Sequence, residues 1–131
     1  MKSQNNQYFL KDKKARIYSV YTYQDAYGNH KEYYIEATPA PLWCYSKQTS
    51  QNLYYAASIL DLVAEDRLFV FNNHDVIEVR SYIYYKNTWY QIERVDTTDD
   101  YNGDMFVYAN ITKRGNTPSA DEIKPYGWQP S

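Results

Sequence analysis

The residues of this chain that could do chemistry are few, and they are far apart. The densest carboxylate group is Asp96, Asp99, Asp100 and Asp104, which surround the pair Asn102-Gly103. A calcium loop needs oxygen ligands at fixed positions and a distal bidentate Glu. When Gly103 is set at the glycine position of such a loop, Thr98 takes the first ligand place and Ala109 the last. The motif fails, so we expect no metal site here.

Nucleophilic and phosphate-binding motifs are not found either. His30 and His74 each lie in a turn segment beside a carboxylate, but neither adjoins a Ser or Cys in a nucleophile motif. Cys44 lies between Trp43 and Tyr45 in an apolar run, which is typical of a small buried residue. The four glycines are spread along the chain and build no phosphate cradle. We therefore expect no enzyme, no catalytic residue and no cofactor.

Composition indicates one folded domain of modest size. The chain has 131 residues, a net charge of -2, 17 Tyr and 3 Trp, and aromatic rings can supply the area of a core. The tyrosines either replace Val in a β-rich core or form an interaction surface, since Tyr is enriched in interfaces. Without a basic excess, nucleic-acid binding is a weaker hypothesis. One Cys, no transmembrane-length run and no signal-peptide h-region predict a soluble protein made in the cytoplasm.

The elements that must position these residues are mostly strands. Ala15 to Tyr23 alternates as a first strand, and Lys31 to Ala37 follows a turn as a possible second one. Two prolines and the apolar run 42–45 come next, and the polar stretch Ser46 to Gln51 is interpreted as an exposed loop. Gln51 to Ala64 has helical spacing, but its alternation fits a strand almost as well.

The chain is organised around a meander that runs from Val79 to Ile111. Its two predicted turns are Lys86-Asn87 and Asn102-Gly103, and the latter accepts positive φ angles at little cost. Strand alternation places Thr88, Tyr90, Ile92 and Arg94 on one face, and Met105, Val107, Ala109 and Ile111 on one face of the next strand. Just upstream, Leu68-Phe69-Val70-Phe71 is typical of a strand buried on both faces. Such a meander needs further strands to cover its apolar face.

The order of these features resembles that of the head-closure proteins of tailed bacteriophages, also called head–tail joining or stopper proteins. The resemblance covers roughly Ala15 to Thr112 and is most specific in the hairpin from Ile83 to Asp96. The hairpin residues that define it are Ile83, Tyr85, Trp89, Tyr90, Ile92 and Val95. Two features depart from the family pattern, because LFVFNN lacks an Arg and no Gly precedes Gln51.

The resemblance implies a mainly β fold, a small antiparallel β-barrel with one short helix, a long loop and flexible terminal arms. The barrel would span residues 15–112, with an N-terminal arm over 1–14 and a C-terminal tail over 113–131. The chain would form a homo-oligomeric ring, with a dodecamer as the arrangement that the family suggests, between a portal or adaptor protein and a tail or tail-completion protein in the virion.

In this family a loop projects into the channel, where it blocks the exit of the viral double-stranded DNA. By position it corresponds to Thr38 to Ser50, and its tip to Tyr45, Ser46, Lys47, Gln48, Thr49 and Ser50. A near-neutral tip would let DNA pass without tight binding. Two alternatives remain open, a small β-barrel nucleic-acid-binding module and a tail-side connector of similar fold.

Overall fold

The computed structural model describes residues 9–49, 66–72, 74–97, 103–112 and 116–130. Within these ranges the chain is mainly β, as predicted. The strands are β1 (Lys13–Gln24), β2 (His30–Glu36), β3 (Leu42–Gln48), β4 (Arg67–Asn72), β5 (Tyr82–Tyr85), β6 (Thr88–Thr97), β7 (Asp104–Ile111) and β8 (Ile123–Lys124). A 3-10 helix spans Ala120–Glu122. The helix-or-strand alternative for 51–64 lies outside the described residues, as do Asp99 and Asp100.

Six strands close into a small antiparallel barrel, which confirms the predicted fold class. Their order is β3-β4-β7-β6-β5-β1, and pairing of β1 with β3 closes the ring. β1 can join both sides because it is 12 residues long. Its start pairs with β3, its middle with β5 over Arg16–Tyr18, and its end with β2 over Tyr18–Gln24. Closure removes the exposed edges of the barrel strands.

The core fills the barrel interior with alternate residues of the six strands and with Ile77 from the segment between β4 and β5. Its members are Ala15, Ile17, Cys44, Phe69, Phe71, Ile77, Ile83, Tyr85, Tyr90, Ile92, Met105, Val107 and Ala109. Phe69 and Val70, neighbours on β4, are both fully buried, so the prediction of a strand buried on both faces is correct. Burial of apolar area is the main stabilising contribution.

The hairpin between β5 and β6 has the predicted two-residue turn. Lys86 and Asn87 have φ angles of 49° and 63°, the conformation of a type I′ turn whose twist matches that of the flanking strands. Of the residues that define this hairpin, Ile83, Tyr85, Tyr90 and Ile92 face the core, and Val95 packs against it. Trp89 lies on the outer surface instead.

A β-bulge in β6 makes one part of the face assignment wrong. The register with β7 shifts between Ile92 and Arg94, so Val95 packs against the core and Arg94 is exposed. Strict alternation had placed Arg94 beside Ile92. The backbone N–H of Ile92 donates to Ser81, and its carbonyl accepts from Arg80, whose φ is 78°. A bulge reverses the side-chain faces beyond it because the extra residue breaks the period of two.

The predicted loop Ser46 to Gln51 is wrong over its first part. Ser46, Lys47 and Gln48 continue β3 and pair with Phe69, Leu68 and Arg67 of β4. A polar strand is possible here because the Ser46 hydroxyl accepts a 2.7 Å hydrogen bond from Arg67, while Lys47 and Gln48 face solvent.

The described parts of both predicted terminal arms contact the sheet. Phe9 packs on Tyr45 and Phe106 with ring centroids 5.3 and 5.5 Å away, and Lys11 pairs with Asp104 at 2.8 Å. In the C-terminal tail, β8 adds parallel to β2. Both segments are held because buried aromatic area offsets the entropy of ordering them.

Candidate interaction surface

The feature outside the barrel is a two-stranded arm, residues 19–35, made of the end of β1, a turn and β2. β5 stops pairing with β1 at Tyr18, so β1 continues beyond the barrel with β2 as its paired strand among the described residues. An ion pair of 2.5 Å between Arg16 and Glu36 lies at the base of the arm. The arm therefore extends from the closed barrel.

An aromatic cluster fixes the base of the arm on the outer face of the sheet. Tyr18, Tyr34 and Tyr82 are 7%, 6% and 7% exposed, and Tyr84 and Trp89 pack against them. The Tyr18 and Trp89 ring centroids are 4.9 Å apart, and those of Tyr34 and Tyr82 are 5.1 Å apart. Burial raises the pKa of Tyr18, Tyr34 and Tyr82 above the usual phenol value. The three hydroxyls are neutral at pH 7, and their burial further disfavours the charged phenolate form.

The opposite face of the arm holds the C-terminal segment. Trp128 packs on Tyr33 with ring centroids 4.9 Å apart, and the Lys124 ammonium lies 5.5 Å from the Tyr33 centroid and 5.2 Å from that of Trp128. Each such aromatic or cation–π contact is worth about 0.5–1.5 kcal/mol. Together with the pairing of β8, they attach the tail to β2.

The tip of the arm is a turn built around one carboxylate. Oδ1 of Asp25 accepts hydrogen bonds of 2.9 Å from the backbone N–H groups of Tyr27 and Asn29. The backbone N–H of Asp25 also donates to the Asn29 carbonyl. The hydrogen bonds from Asn29 and Tyr27 hold the pKa of the Asp25 carboxyl below its usual value. Gly28 takes the positive φ of 84° that the turn needs. The result is an ordered loop that presents Tyr27, which is 90% exposed.

Two open clefts flank the arm. The first, of about 530 Å³, lies between residues 30–33 of β2 and the 3-10 helix, whose Asp121 and Glu122 line it. Hydrogen bonds, led by that from the Ser119 hydroxyl, hold the pKa of Asp121 below its usual value. The second, of about 480 Å³, lies between the arm, residues 75–78 and residues 126–127.

The candidate chemical residues are not brought together by the fold. His30 lines the first cleft, whereas the His74 ring nitrogen lies 3.5 Å from exposed Asp75. Cys44 is fully buried, and burial raises the pKa of its thiol to about 12. Within the part of the chain that the structure describes, no three His, Cys, Asp or Glu side chains group to hold a metal ion. No helix in these ranges is long and apolar enough to span a membrane.

The predicted channel residues lie away from the arm. Tyr45 to Gln48 belong to β3, the N–H of Thr49 donates to the Asp66 carbonyl, and Ser50 lies outside the described residues. Sequence reasoning missed Tyr27 and the tail residues Lys124 and Trp128. The tail did carry one signal, since Ser119 and Glu122 have capping-box spacing. The Ser119 N–H indeed donates to the Glu122 carboxylate at 3.1 Å.

The fold thus defines a small closed antiparallel β-barrel with a projecting arm. Among solved structures, the solution structure of protein SF1141 from Shigella flexneri 2a is similar, with a TM-score of 0.59 and 11% sequence identity. The match covers 85% of this chain and 96% of that chain. At this identity the likeness shows the fold alone. No protein-family model and no curated protein matches the sequence.

Proposed function

We propose that this chain is a non-enzymatic connector subunit of a tailed-bacteriophage virion, which closes the DNA-filled head below the portal or adaptor and joins it to the tail. The observation that carries the proposal is the arm, with its ordered tip and its 90% exposed Tyr27. An exposed aromatic residue on a rigid support is typical of a contact anchor, because little conformational entropy is lost on binding. The hairpin resemblance of Ile83 to Asp96 supports the same class.

The geometry suits a ring subunit in two respects. The closed barrel provides a wall whose shape does not depend on its neighbours, since its six strands satisfy one another. The arm and the two attached terminal segments lie outside that wall and offer contacts to a neighbouring copy, the adaptor or the tail protein. A heterologous contact between copies closes into a ring when its rotation allows.

The stopper role of Tyr45 to Ser50 remains a proposal, and the fold changes how it is tested. Deleting these residues would remove half of β3 and its pairing with β4, so lost function would report misfolding. Exchange of the exposed Lys47 and Gln48 for Glu leaves the strand in place. Like-charge repulsion with the DNA phosphates should then change retention or ejection without changing ring assembly.

The experiment that tests the connector role adds the purified protein to DNA-filled heads that lack it. Retained DNA and rings at the vertex in electron micrographs are the expected result. A matched pair of variants, Tyr27→Ala and Tyr126→Ala, removes an exposed Tyr from the arm or from the tail. Tyr27→Ala should weaken addition the most, because Tyr126 borders the second cleft and contributes at most a smaller contact. Ile111→Ala, which removes an exposed apolar side chain from the end of β7, should leave addition unchanged. Binding to isolated tails instead of heads would move the protein to the tail side, and binding to neither would refute the proposal.

A nucleic-acid-binding module is the second candidate, favoured by the Lys124 ammonium, which lies near the packed rings of Tyr33 and Trp128. Single-strand binding uses aromatic platforms beside basic groups. This candidate predicts salt-dependent binding of single-stranded DNA by the isolated protein, lost in Trp128→Ala and kept in Tyr27→Ala. The connector predicts no such binding by the isolated chain.

A further inference from the structure

The arm leaves one margin of β1 unpaired. The carbonyl of Ile17 accepts from Ala37 on the β2 side, so by strand alternation the N–H and C=O groups of Ser19, Tyr21 and Tyr23 also point to β2. Those of Val20, Thr22 and Gln24 point the other way. Tyr18 uses that side for β5, and beyond it no strand in the described ranges pairs with this margin.

Among the residues that the structure describes, this edge carries no charge, proline or bulge of the kind that normally protects an edge strand, and residues 75–78 border only its start, across the second cleft. Natural edges carry charges, prolines, bulges or a cover that discourages pairing. Residues 19–24, SVYTYQ, contain no charge, no Pro and no Gly, and their Val, Thr and Tyr favour strands. An unprotected edge of this composition is expected to be covered when the protein is in its working state.

The same arm has a complementary margin on its other side. β8 pairs with β2 at Tyr34 and Ile35, which leaves the outward backbone groups of His30 and Glu32 without a strand partner in the described ranges. The cleft of about 530 Å³ lies along this margin. The cleft carries charges of both signs, and an uncharged strand that enters it is not repelled by either sign; the charged residues are Lys31, Glu32, Asp121, Glu122 and Lys124.

We propose that the arms of neighbouring copies pair edge to edge, the free β1 margin (residues 20–24) of one copy adding to the free β2 margin (residues 30–33) of the next. This rests on the proposed ring connector and names its subunit contact. When neighbouring copies share one orientation, as they do around a ring, the added pairing is antiparallel, because β1 and β2 run in opposite directions within each copy. The contact uses two different surfaces, so it is heterologous and propagates to the next copy. In the alternative arrangement, the β1 edges of two copies pair with each other around a twofold axis. That arrangement gives a closed dimer and leaves the β2 edge of each copy unpaired.

Disulfide trapping between two pools of the full chain tests the contact. One pool carries Thr22→Cys, and the other carries Glu32→Cys or, to allow a register shift of two, His30→Cys. Directly opposed residues of an antiparallel sheet lie on the same face, within the distance that a disulfide spans. The native Cys44 does not interfere, since it is fully buried. A third pool carries Thr97→Cys, at the exposed end of β6. Mixing it with the other pools gives the background of covalent dimer that forms by random collision.

The expected result is about tenfold more covalent dimer in the mixed pools than in any mixture with Thr97→Cys, because disulfide geometry is specific. A dimer from the Thr22→Cys pool alone indicates the twofold arrangement and overturns the proposal. The proposal is also overturned if the mixtures of Thr22→Cys with Glu32→Cys and with His30→Cys both give no more covalent dimer than the mixtures with Thr97→Cys. In the register that opposes Thr22 and Glu32, Gln24 lies opposite His30. Thr22→Lys, an edge-protecting change, should therefore abolish trapping between Gln24→Cys and His30→Cys, whereas Thr97→Lys should not.

The same variants separate this inference from the proposed function. One outcome is that rings form at the head vertex and retain DNA while disulfide trapping between arm cysteines fails both in solution and on the heads. In that case the connector role is supported and the proposed edge contact is wrong. If trapping succeeds in solution but the protein adds to neither heads nor tails, the edge contact stands and the connector role is wrong.

Discussion

Truncation of Phe69 to Ala is the sharpest test of the barrel core. The side chain is 0% exposed, and its ring meets Tyr85 and Tyr90 edge-on at centroid distances of 5.3 and 5.4 Å. Removal of a fully buried Phe costs about 3–5 kcal/mol, which includes both lost transfer energy and the cavity. Domains of this size have a total stability of about 5–15 kcal/mol. Phe69→Ala should therefore remove about a fifth of the total stability or more.

Phe106→Ala is the matched control, because it deletes the same atoms on the outer surface. Phe106 is only half-buried and packs on Phe9 with ring centroids 5.5 Å apart. We expect this variant to lose about 1–2 kcal/mol. The two phenylalanines are on neighbouring paired strands. The difference between the two losses in free energy of unfolding therefore measures the effect of placing the ring inside the barrel.

Urea unfolding followed by tryptophan fluorescence and by circular dichroism measures both losses. The midpoints should differ while the m-values stay equal, since both variants expose the same surface on unfolding. The thermal midpoint of Phe69→Ala should fall by roughly 10–20 °C. Equal losses for the two variants, or a loss below about 1.5 kcal/mol for Phe69→Ala, would refute the assignment of β4 to the barrel interior.

Three further predictions follow from single residues. Arg80 has a φ of 78°, a left-handed conformation that a β-branched residue resists and glycine accepts. Arg80→Val should therefore lower the free energy of unfolding in urea by about 1–2 kcal/mol, and Arg80→Gly should not. Equal effects of the two variants would contradict this. The tip turn should be ordered above the usual carboxyl pKa of Asp25 and should loosen as the pH falls through its lowered pKa. Amide shifts of Tyr27 and Asn29 should report this in NMR titrations, and Asp25→Asn, which keeps the acceptor oxygen, should abolish the pH dependence. Cys44 should resist a thiol reagent at pH 8 until the barrel opens, since burial raises its pKa to about 12; fast labelling of the native protein would show that the interior is open.

Some of the fold could be predicted because its signals are local. Alternation over Ala15 to Tyr23 and the apolar run LFVF each mark a strand through nearest-neighbour periodicity. The Lys86-Asn87 turn could be located because the apolar-aromatic strands on both sides leave two residues between them. The candidate surface was harder to find, since Tyr27 was recognisable as a turn residue but not as the exposed tip of a projecting arm.

The errors arose where long-range pairing overrides local pattern. Ser46 to Gln48 are polar and resemble a loop, yet their pairing with β4 and the Arg67 hydrogen bond keep them in β3. Alternation predicted the wrong face for Arg94, because a bulge depends on which residues of the partner strand lie opposite. The composition of the tail suggested flexibility, but Trp128 and β8 find partners on β2.

By itself, therefore, the sequence determined the β class, the tight hairpin turn and the buried strand β4, because periods of two and turn chemistry act between neighbours in the chain. Only the tertiary structure decided that Ala15 meets Leu42 to close the barrel, that Ile123 meets Tyr34, and that β1 runs past β5 with one edge that no described strand pairs. Those pairings join residues far apart in sequence. Their free energy comes from burial and hydrogen bonds that exist only once the whole sheet has formed.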